Sequence, residues 1–498
     1  MTATKHEAPT GGGSEARRTR RNDGLQRDLA RLLGEDGVRP LTVRHYHRDS
    51  TEMHGLSGTA DAIVAPANAE QVRELVAWCY ERNLAIVPRG GGTGFAGGAV
   101  PVDGGIVCSL ERLSQIRQFE PEFWRMEVEA GVITSRIHLA ARKSGLFFPP
   151  DPGASEQSQI GGNIACNAGG PHAFKYGVTG NWVTGIEAVV AHGNVVRMGG
   201  SLRKDVAGYD LRSLFVGSEG TLGIITSAWL RLTPAPEKVI PVVAGYPDIA
   251  SGVRAIRRVY GYGLVPAALE YFDGGTLAAS RGSFPGGIDS KIGFLLIAES
   301  DGTASEAESL SQRLSEAMTE EATFVRQIHD RQTVDDLWRW RSGVSFAVSA
   351  QRGGKMSEDI AVPMDALEET MDMINEIGKR HGLSTCSWGH AGDANLHATF
   401  MLDASSDSEI AAATTASREM FARTLEIGGT VSGEHGLGWV KREQFDLQFS
   451  QESARLQRLI KAAFDPANLF NPGKKVTMPA TTVDERGEQL IGRVPGSK

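Results

Sequence analysis

Glycine gathers at a few places along this chain, and those places limit what it can fold into. Residues 90–105 carry 8 glycines, 153–180 and 193–223 carry 7 each, 389–392 carry 2 and 428–438 carry 5; these 29 of the 60 glycines occupy fewer than a fifth of the 498 residues. Five segments therefore need positive φ or a close approach of backbone to something. No G-X-Y period accompanies them, which excludes a collagen-like fibre. A hydrophobic share of 41% and a charged share of 22% exclude wholesale disorder and leave a large core to bury. The length predicts two to four domains.

The first cluster follows an apolar run, Leu84-Ala85-Ile86-Val87-Pro88, that reads as a strand. Asn68 with Gln71 forms a capping box ahead of it, and Val72, Leu75, Val76 and Cys79 follow helical spacing, so a helix leads into that strand. Gly92-x-Gly94-x-x-Gly97 satisfies the spacing of a dinucleotide fingerprint, but such a fingerprint must open a helix. Here Ala99-Val100-Pro101-Val102-Asp103 and a second strand, Ile106-Val107-Cys108, come next, so a Rossmann reading is rejected. Two readings remain: a nest of peptide N–H groups that turns onto an anion such as a pyrophosphate, or a glycine-rich hairpin. The second cluster, with Pro150, Gly153, Gly161, Gly162, Asn163 and Gly169, suits a wall pressed against a flat ligand. The third, Val216-Gly217-Ser218-Glu219-Gly220-Thr221-Leu222-Gly223, runs into the β-rich Ile224-Ile225-Thr226.

The formal net charge of −8 argues against nucleic acid as a partner. The four cysteines, Cys79, Cys108, Cys166 and Cys386, are isolated; no iron–sulfur cluster or disulfide framework is indicated, and a reducing cytoplasm fits. No run approaches 18 apolar residues. The first 22 residues lack the apolar stretch of a signal peptide and read as a disordered tail with a basic cluster of unassigned role.

Three strings, PRGGGTGFAGGA, PPDPGASEQSQIGGNIACNAGG and GSEGTLGIIT, resemble in order and spacing the FAD-binding domain of the vanillyl-alcohol oxidase/p-cresol methylhydroxylase superfamily, over residues 56–235. The resemblance implies a two-subdomain α+β FAD-binding domain of the p-cresol methylhydroxylase (PCMH) type. It puts the cofactor against Arg89, Gly90, Gly91, Gly92, Thr93, Gly94, Pro150, Gly153, Ser158, Gly161, Gly162, Asn163, Gly169, Glu219, Gly220, Ile224, Ile225 and Asn471. Many relatives tether the flavin through a histidine near the first loop. Thr93 stands there, and no His lies between His54 and His138, so non-covalent FAD is expected.

After Pro234-Ala235-Pro236 strand-like runs alternate with helices: 240–245, a helix near 248–262, 292–298, a helix near 303–319, and 358–362. Asp365 is expected to cap a helix with Leu367, Met371, Ile374 and Ile377 on one face. The segment reads as an α+β substrate or cap domain with two βαβ-like units. Its chemistry sits in Trp388-Gly389-His390-Ala391-Gly392-Asp393-Ala394-Asn395-Leu396-His397 and in Gly433-Glu434-His435-Gly436-Leu437-Gly438. Gly392-Asp393 is a turn signal, so a strand–turn–strand would fold both imidazoles to one point. Two histidines and a carboxylate with positions left open suit a catalytic Zn2+ or Mn2+; the alternative is ordinary surface or core histidines.

These strings, GHAGDANLH and SGEHGLG, with KMSEDIAVP (355–363), Lys441 and Phe470-Asn471-Pro472-Gly473-Lys474, resemble one branch of the superfamily. That branch is the flavin-dependent D-2-hydroxyacid dehydrogenases, which include D-lactate dehydrogenases, the flavin subunit of glycolate oxidase and D-2-hydroxyglutarate dehydrogenase. Ala394 departs from the Gly usual there, and Thr399 stands where the branch carries a polar residue that is often Asn. The resemblance spans about 40–476 and implies His390, His397 and Glu434 as metal ligands, His435 as general base, and Arg341 forked onto the substrate carboxylate. Arg339 is a rival, an ordinary salt bridge is the other reading of Arg341, and Lys355 and Lys441 are weaker candidates.

The expected layout is a tail at 1–22, the FAD domain at 23–238, a cap domain with an antiparallel sheet at 239–460, a C-terminal segment at 461–478 returning to the FAD domain, and a tail at 479–498. The expected reaction oxidises a D-2-hydroxyacid to the 2-oxoacid. A quinone, cytochrome, electron-transfer flavoprotein or O2 would accept the electrons. Rival readings on the same scaffold are an aromatic-alcohol oxidase, an ether-lipid synthase, or the flavoprotein subunit of a respiratory complex. A homodimer and peripheral attachment to a membrane are compatible with it.

Overall fold

The computed structural model describes residues 24–51 and 56–478, so both expected tails lie outside the described residues. After a helical segment at 24–33, the N-terminal half runs through β1 (Val38–Arg39), β2 (Ala62–Val64), α1 (Ala69–Glu81), β3 (Ile86–Arg89) and β4 (Ile106–Ser109). The sheet order is β1-β2-β4-β3, with β2, β4 and β3 mutually parallel. Asn68 caps α1 through the Gln71 amide at 2.9 Å, while the Gln71 side chain returns to Ala67 N, one residue earlier than a capping box requires. The glycine loop after β3 opens no helix; β4 is the next regular element, in keeping with the rejected dinucleotide fold.

Next come β5 (Ile116–Glu120), β6 (Arg125–Glu129), α2 (Ile160–Cys166), β7 (Val183–Val190), β8 (Asn194–Gly199) and β9 (Ile224–Arg231). These five strands form an antiparallel sheet ordered β5-β6-β9-β7-β8. A shared core binds the two sheets, from Val72, Leu75 and Ile106 to Val128, Ile186 and Ile224.

The C-terminal half is built on one seven-stranded sheet. Its elements are β10 (Lys238–Tyr246), α3 (Ile249–Gly261), β11 (Ala268–Asp273), β12 (Phe294–Gly302), α4 (Ala304–Thr319), β13 (Phe324–Gln327), α5 (Arg331–Arg352), β14 (Gly354–Ala361), α6 (Leu367–Arg380), β15 (Ser384–His390), β16 (Asn395–Leu402) and α7 (Asp407–Glu426). The order β13-β10-β12-β11-β15-β16-β14 has every neighbour antiparallel. The βαβ-like units are thus split: the strands flanking each helix are parallel, with another strand between them. The first six elements form a β-α-β-β-α-β unit. The elements β14, α6, β15, β16 and α7 repeat it, with a bridge from Thr430 to Ala361 in the place of the last strand. The two units join where β11 pairs with β15, which sets Glu270 opposite His390.

One expectation about α6 is corrected. Asp365 lies inside a 3₁₀ turn, Met364–Ala366, and the helix begins after Ala366 with no side-chain cap. Burial of Leu367, Met371, Ile374 and Ile377 holds this helix in place of a cap.

The two halves are tied together by charge. His172 Nδ1 lies 2.5 Å from Asp151 and Nε2 lies 2.8 Å from Glu299 on β12, whose other oxygen accepts Trp338 Nε1 at 2.6 Å. Lys175 and Tyr176 both bond Asp301. Burial alone would lower the His172 pKa, but Asp151 and Glu299 outweigh it and hold it well above 6.5. The protonated ring is the paired form, so its contribution to stability is fully present below about pH 6.5 and is lost as pH rises through the raised folded value. The denaturation midpoint should fall over that window, and His172→Gln should flatten the fall; an unaltered profile in the variant would contradict the tie. The chain also returns on itself: Leu469 O accepts Ile86 N at 2.7 Å and Asn471 N donates to Ile86 O at 2.9 Å. Among the described residues no helix is long and apolar enough to cross a membrane.

Candidate active site between the glycine loops and the antiparallel sheet

The loop after β3 and the N-terminus of α2 meet backbone to backbone. A Cβ on Gly90 would lie 3.4 Å from the Gly162 Cα, in contact, and one on Gly91 only 2.2 Å from Gln157 O, so no side chain fits at Gly91. Gly94 and Gly153 face open space, and Gln159 Oε1 and Ser218 Oγ are buried without a hydrogen-bond partner. Open glycine faces beside orphaned polar atoms are what an extended, polar cofactor would complete. Thr93 belongs to the same loop, and Gly220, at φ +68, continues the wall toward Ile224 and Ile225, which are buried on β9.

Several residues expected at the cofactor brace this cradle through their side chains. Arg89 donates to Arg48 O at 2.6 Å beneath its own loop. Ser158 and Asn163 both bond Thr134 Oγ1, at 2.8 and 2.7 Å. Pro150 acts through its main chain instead, its carbonyl accepting His138 Nε2 at 2.9 Å. Asn471 Nδ2 joins Gly98 O to Glu219 O. The Glu219 carboxylate accepts Leu437 N and Gly438 N, at 3.1 and 2.6 Å, while its amide donates to Ala165 O at 2.7 Å. Gly169 abuts the second centre: a Cβ there would be 2.8 Å from Glu434 Oε2.

That second centre forms where β15 and β16 turn back on each other. The turn places Ala394 at φ +52, a left-handed position that suits glycine better. His390 ends β15, His397 sits on β16, and the rings are 5.5 Å apart. The imidazole Nε2 atoms of His390, His397 and His435 lie 3.4, 3.5 and 3.8 Å from one oxygen of Glu434. These spacings exceed a hydrogen bond. They are close to the roughly 3.3 Å edge of a tetrahedron whose ligands sit about 2.0–2.1 Å from a metal. Asp359, His397, Glu434 and His435 also offer ligand atoms within 4.8 Å of one another. Asp359 is an unsuitable ligand because its oxygens already accept Glu434 N, His435 N and Ser432 Oγ, each at 2.9 Å, and Asn395 Nδ2 at 2.7 Å. The donor set thus fits a divalent cation held by His390, His397 and Glu434.

The charges agree with that fit. Burial pushes the His397 pKa down to about 3, so its ring is neutral. Burial would raise Glu434, but His390, His397 and His435 outweigh it and bring it to about 2. Burial would likewise lower His390, which Glu270 and Glu434 hold well above the usual value. Glu270 Oε1 lies 2.5 Å from His390 Nδ1, which aims Nε2 at Glu434. Its Oε2 accepts Arg341 Nε at 2.7 Å. Arg341 Nη2 is 2.6 Å from the same oxygen without hydrogen-bond geometry, and so stands as a buried donor without an acceptor. Arg339 points outward and pairs with Asp336. Lys441 is structural: its Nζ donates to Asp359 O and Val431 O. Lys355 is buried, bonds Ser345 and lies over the Trp388 ring.

Sequence reasoning missed Glu270 and Asp359. Glu270 is a carboxylate inside the largely apolar run 268–272, and that was its available signal; Asp359 stands beside Glu358 in a polar strand and gave none.

With the geometry in hand, comparison with known proteins decides the family. Residues 60–199 match the FAD binding domain family and residues 235–475 match the family of FAD linked oxidases, C-terminal domain. A protein of Bacillus subtilis named glycolate oxidase subunit GlcD is 37% identical over 432 residues, covering 86% of this chain and 91% of its own. The chain belongs to the FAD-linked oxidases. This FAD-linked oxidase is also 31% identical to the D-2-hydroxyglutarate dehydrogenase of Stutzerimonas stutzeri over 83% of this chain and 90% of that one. Its fold matches p-cresol methylhydroxylase with a TM-score of 0.76 at 18% identity, over 94% of this chain and 98% of that one. As an FAD-linked oxidoreductase of α+β architecture, it uses FAD as its cofactor.

Proposed function

We propose that this enzyme oxidises a D-2-hydroxyacid of the glycolate, D-lactate or D-2-hydroxyglutarate class to the 2-oxoacid. The observation that carries the reading is the convergence of three imidazoles on Glu434 beside a buried Arg341 Nη2 that lacks an acceptor. When bound, non-covalent FAD supplies the hydride acceptor, and a cation, Zn2+ or Mn2+, lowers the pKa of the substrate hydroxyl.

The chain's own residues do the rest. Arg341 Nη2 takes one oxygen of the substrate carboxylate, while Glu270 holds the guanidinium in place. His390, His397 and Glu434 fix the cation. His435 takes the hydroxyl proton at Nε2, which is 3.8 Å from Glu434 and free of a hydrogen bond to it. Phe95 lies against the His435 ring, 4.7 Å away and tilted by 35°, and His397 stacks on it at 5.5 Å, so the two rings hold the orientation of His435.

The names of relatives support the substrate class, and a relative named as a subunit supports a separate chain as the electron acceptor. The four cysteines stand apart as free thiols, so any iron–sulfur centre would belong to that chain. Removing the divalent cation by chelation should abolish turnover of D-2-hydroxyacids, and Zn2+ or Mn2+ should restore it. Full activity in verified metal-free protein would remove the cation from the reaction.

A further inference from the structure

The segment that carries Glu434 and His435 forms no helix or strand, yet its amides from Glu434 to Val440 are all held. Glu434 N and His435 N donate to Asp359, at 2.9 Å each, and Gly436 N donates to Ser432 Oγ at 2.8 Å. Leu437 N and Gly438 N then cross to the two oxygens of Glu219, and Trp439 N and Val440 N reach Ala96 O at 2.7 and 3.2 Å. The first acceptors belong to the C-terminal half. Glu219 and Ala96 belong to the two glycine loops that form the FAD cradle. One short loop is therefore pinned from both halves of the molecule.

The contact with Glu219 is a close one. Glu219 is buried at φ +53, with Lys475 Nζ 3.0 Å from its carboxylate. Gly436 opposes it at φ +83, and a Cβ there would lie 2.7 Å from Oε1. Asn471 ties the Glu219 carbonyl to Gly98 O, so both cradle loops move with this residue. Phe95, next to Ala96, lies on the His435 ring.

We propose that Glu219 is a positioning residue that couples the two sites: ordering of the cradle loops by FAD is passed through its carboxylate to the 434–440 loop and tightens the hold of His390, His397 and Glu434 on a divalent cation. The inference rests on the cation reading above and adds the coupling. Coupling of two ligands through a shared element is reciprocal, so the cation must strengthen FAD binding by the same factor.

The test uses the full-length holoprotein and Glu219→Gln, which keeps the side-chain size but loses one of two acceptors and the charge facing Lys475. FAD affinity is read from flavin fluorescence on serial dilution, with saturating Zn2+ or with chelator. Chelation should weaken FAD binding of the wild type by about tenfold. In Glu219→Gln the two affinities should agree within about twofold. A wild-type affinity indifferent to Zn2+, or a variant that keeps the wild-type ratio, overturns the coupling.

Direct Zn2+ competition against a chromophoric chelator separates failure of the cation reading from failure of the coupling. A protein that binds no cation loses both. A protein that binds the cation with no effect on FAD loses only the coupling. If Glu219→Gln does not fold, amide hydrogen exchange of the wild type decides: residues 436–440 should exchange more slowly with FAD and Zn2+ together than with FAD alone, and equal rates overturn the proposal.

Discussion

Asp359→Ala is expected to remove both the reaction and a large part of the fold's stability. Asp359 is fully buried on β14, and its carboxylate receives Ser432 Oγ, the amides of Glu434 and His435, and Asn395 Nδ2. Burial would raise its pKa, but His435, Lys441 and His397 hold it far below the usual carboxylate range, so it is charged at any working pH. Alanine leaves Ser432 Oγ and the amides of Glu434 and His435 without their acceptor, and Asn395 Nδ2 with Ile360 O alone. Removing one partner of a buried charge network costs about 3–5 kcal/mol, a large share of the roughly 5–15 kcal/mol by which a domain is stable. The loop carrying Glu434 and His435 would lose its anchor from the sheet. Urea denaturation should show the loss of stability, and single-turnover flavin reduction should fall by at least about 10²-fold. Wild-type stability in the variant would show that these contacts do not form.

Glu270→Gln should act on the cation more than on the fold's shape. Glu270 is fully buried, and burial alone would raise its pKa; Arg341 and His390 outweigh it and bring it to about 2. It is therefore a carboxylate that accepts from both neighbours. A glutamine can accept from one of them but turns an NH2 group onto the other. Either the tautomer of His390 is lost or Arg341 is left uncompensated. Outer partners of ligating histidines are typically worth about 10–100-fold in metal affinity, and Zn2+ affinity measured against a chromophoric chelator should fall by that much. The half-saturating substrate concentration should rise with it, because Arg341 loses its mooring. Unchanged Zn2+ affinity would mean that His390 does not depend on Glu270 for its orientation.

Much of this architecture was legible before any coordinates, because it is written in short-range pattern. The Val72–Cys79 spacing announced α1, and Gly392-Asp393 announced the hairpin that folds His390 toward His397. The glycine clusters marked the cradle because close backbone contact, as between Gly91 and the Gln157 carbonyl, admits no side chain.

Elements that depend on distant pairing were hidden. Glu270 and His390 are 120 residues apart and meet only because β11 pairs with β15. Glu219 reaches Gly438 across 219 residues, so nothing in its glycine-rich string signalled that its carboxylate bonds a loop of the other half. The split order of the seven-stranded sheet was invisible for the same reason: strand–helix–strand spacing is identical whether or not a third strand lies between. Asp365 misled because its position satisfies a local capping rule that the preceding 3₁₀ turn overrides.

In the proposed reaction one centre, built from His390, His397, Glu434 and His435 beside Arg341, delivers the electrons of a D-2-hydroxyacid to FAD. Anaerobic stopped-flow mixing of the holoprotein with glycolate, D-lactate, D-2-hydroxyglutarate and the L-enantiomers of the latter two tests it most directly. The flavin band should bleach with glycolate or with at least one D-enantiomer, and with neither L-enantiomer. In His435→Ala, with flavin and metal content retained, that bleaching should slow by about 10²–10⁴-fold. Bleaching by His435→Ala at the wild-type rate, or a wild-type flavin that no D-2-hydroxyacid reduces, would contradict it.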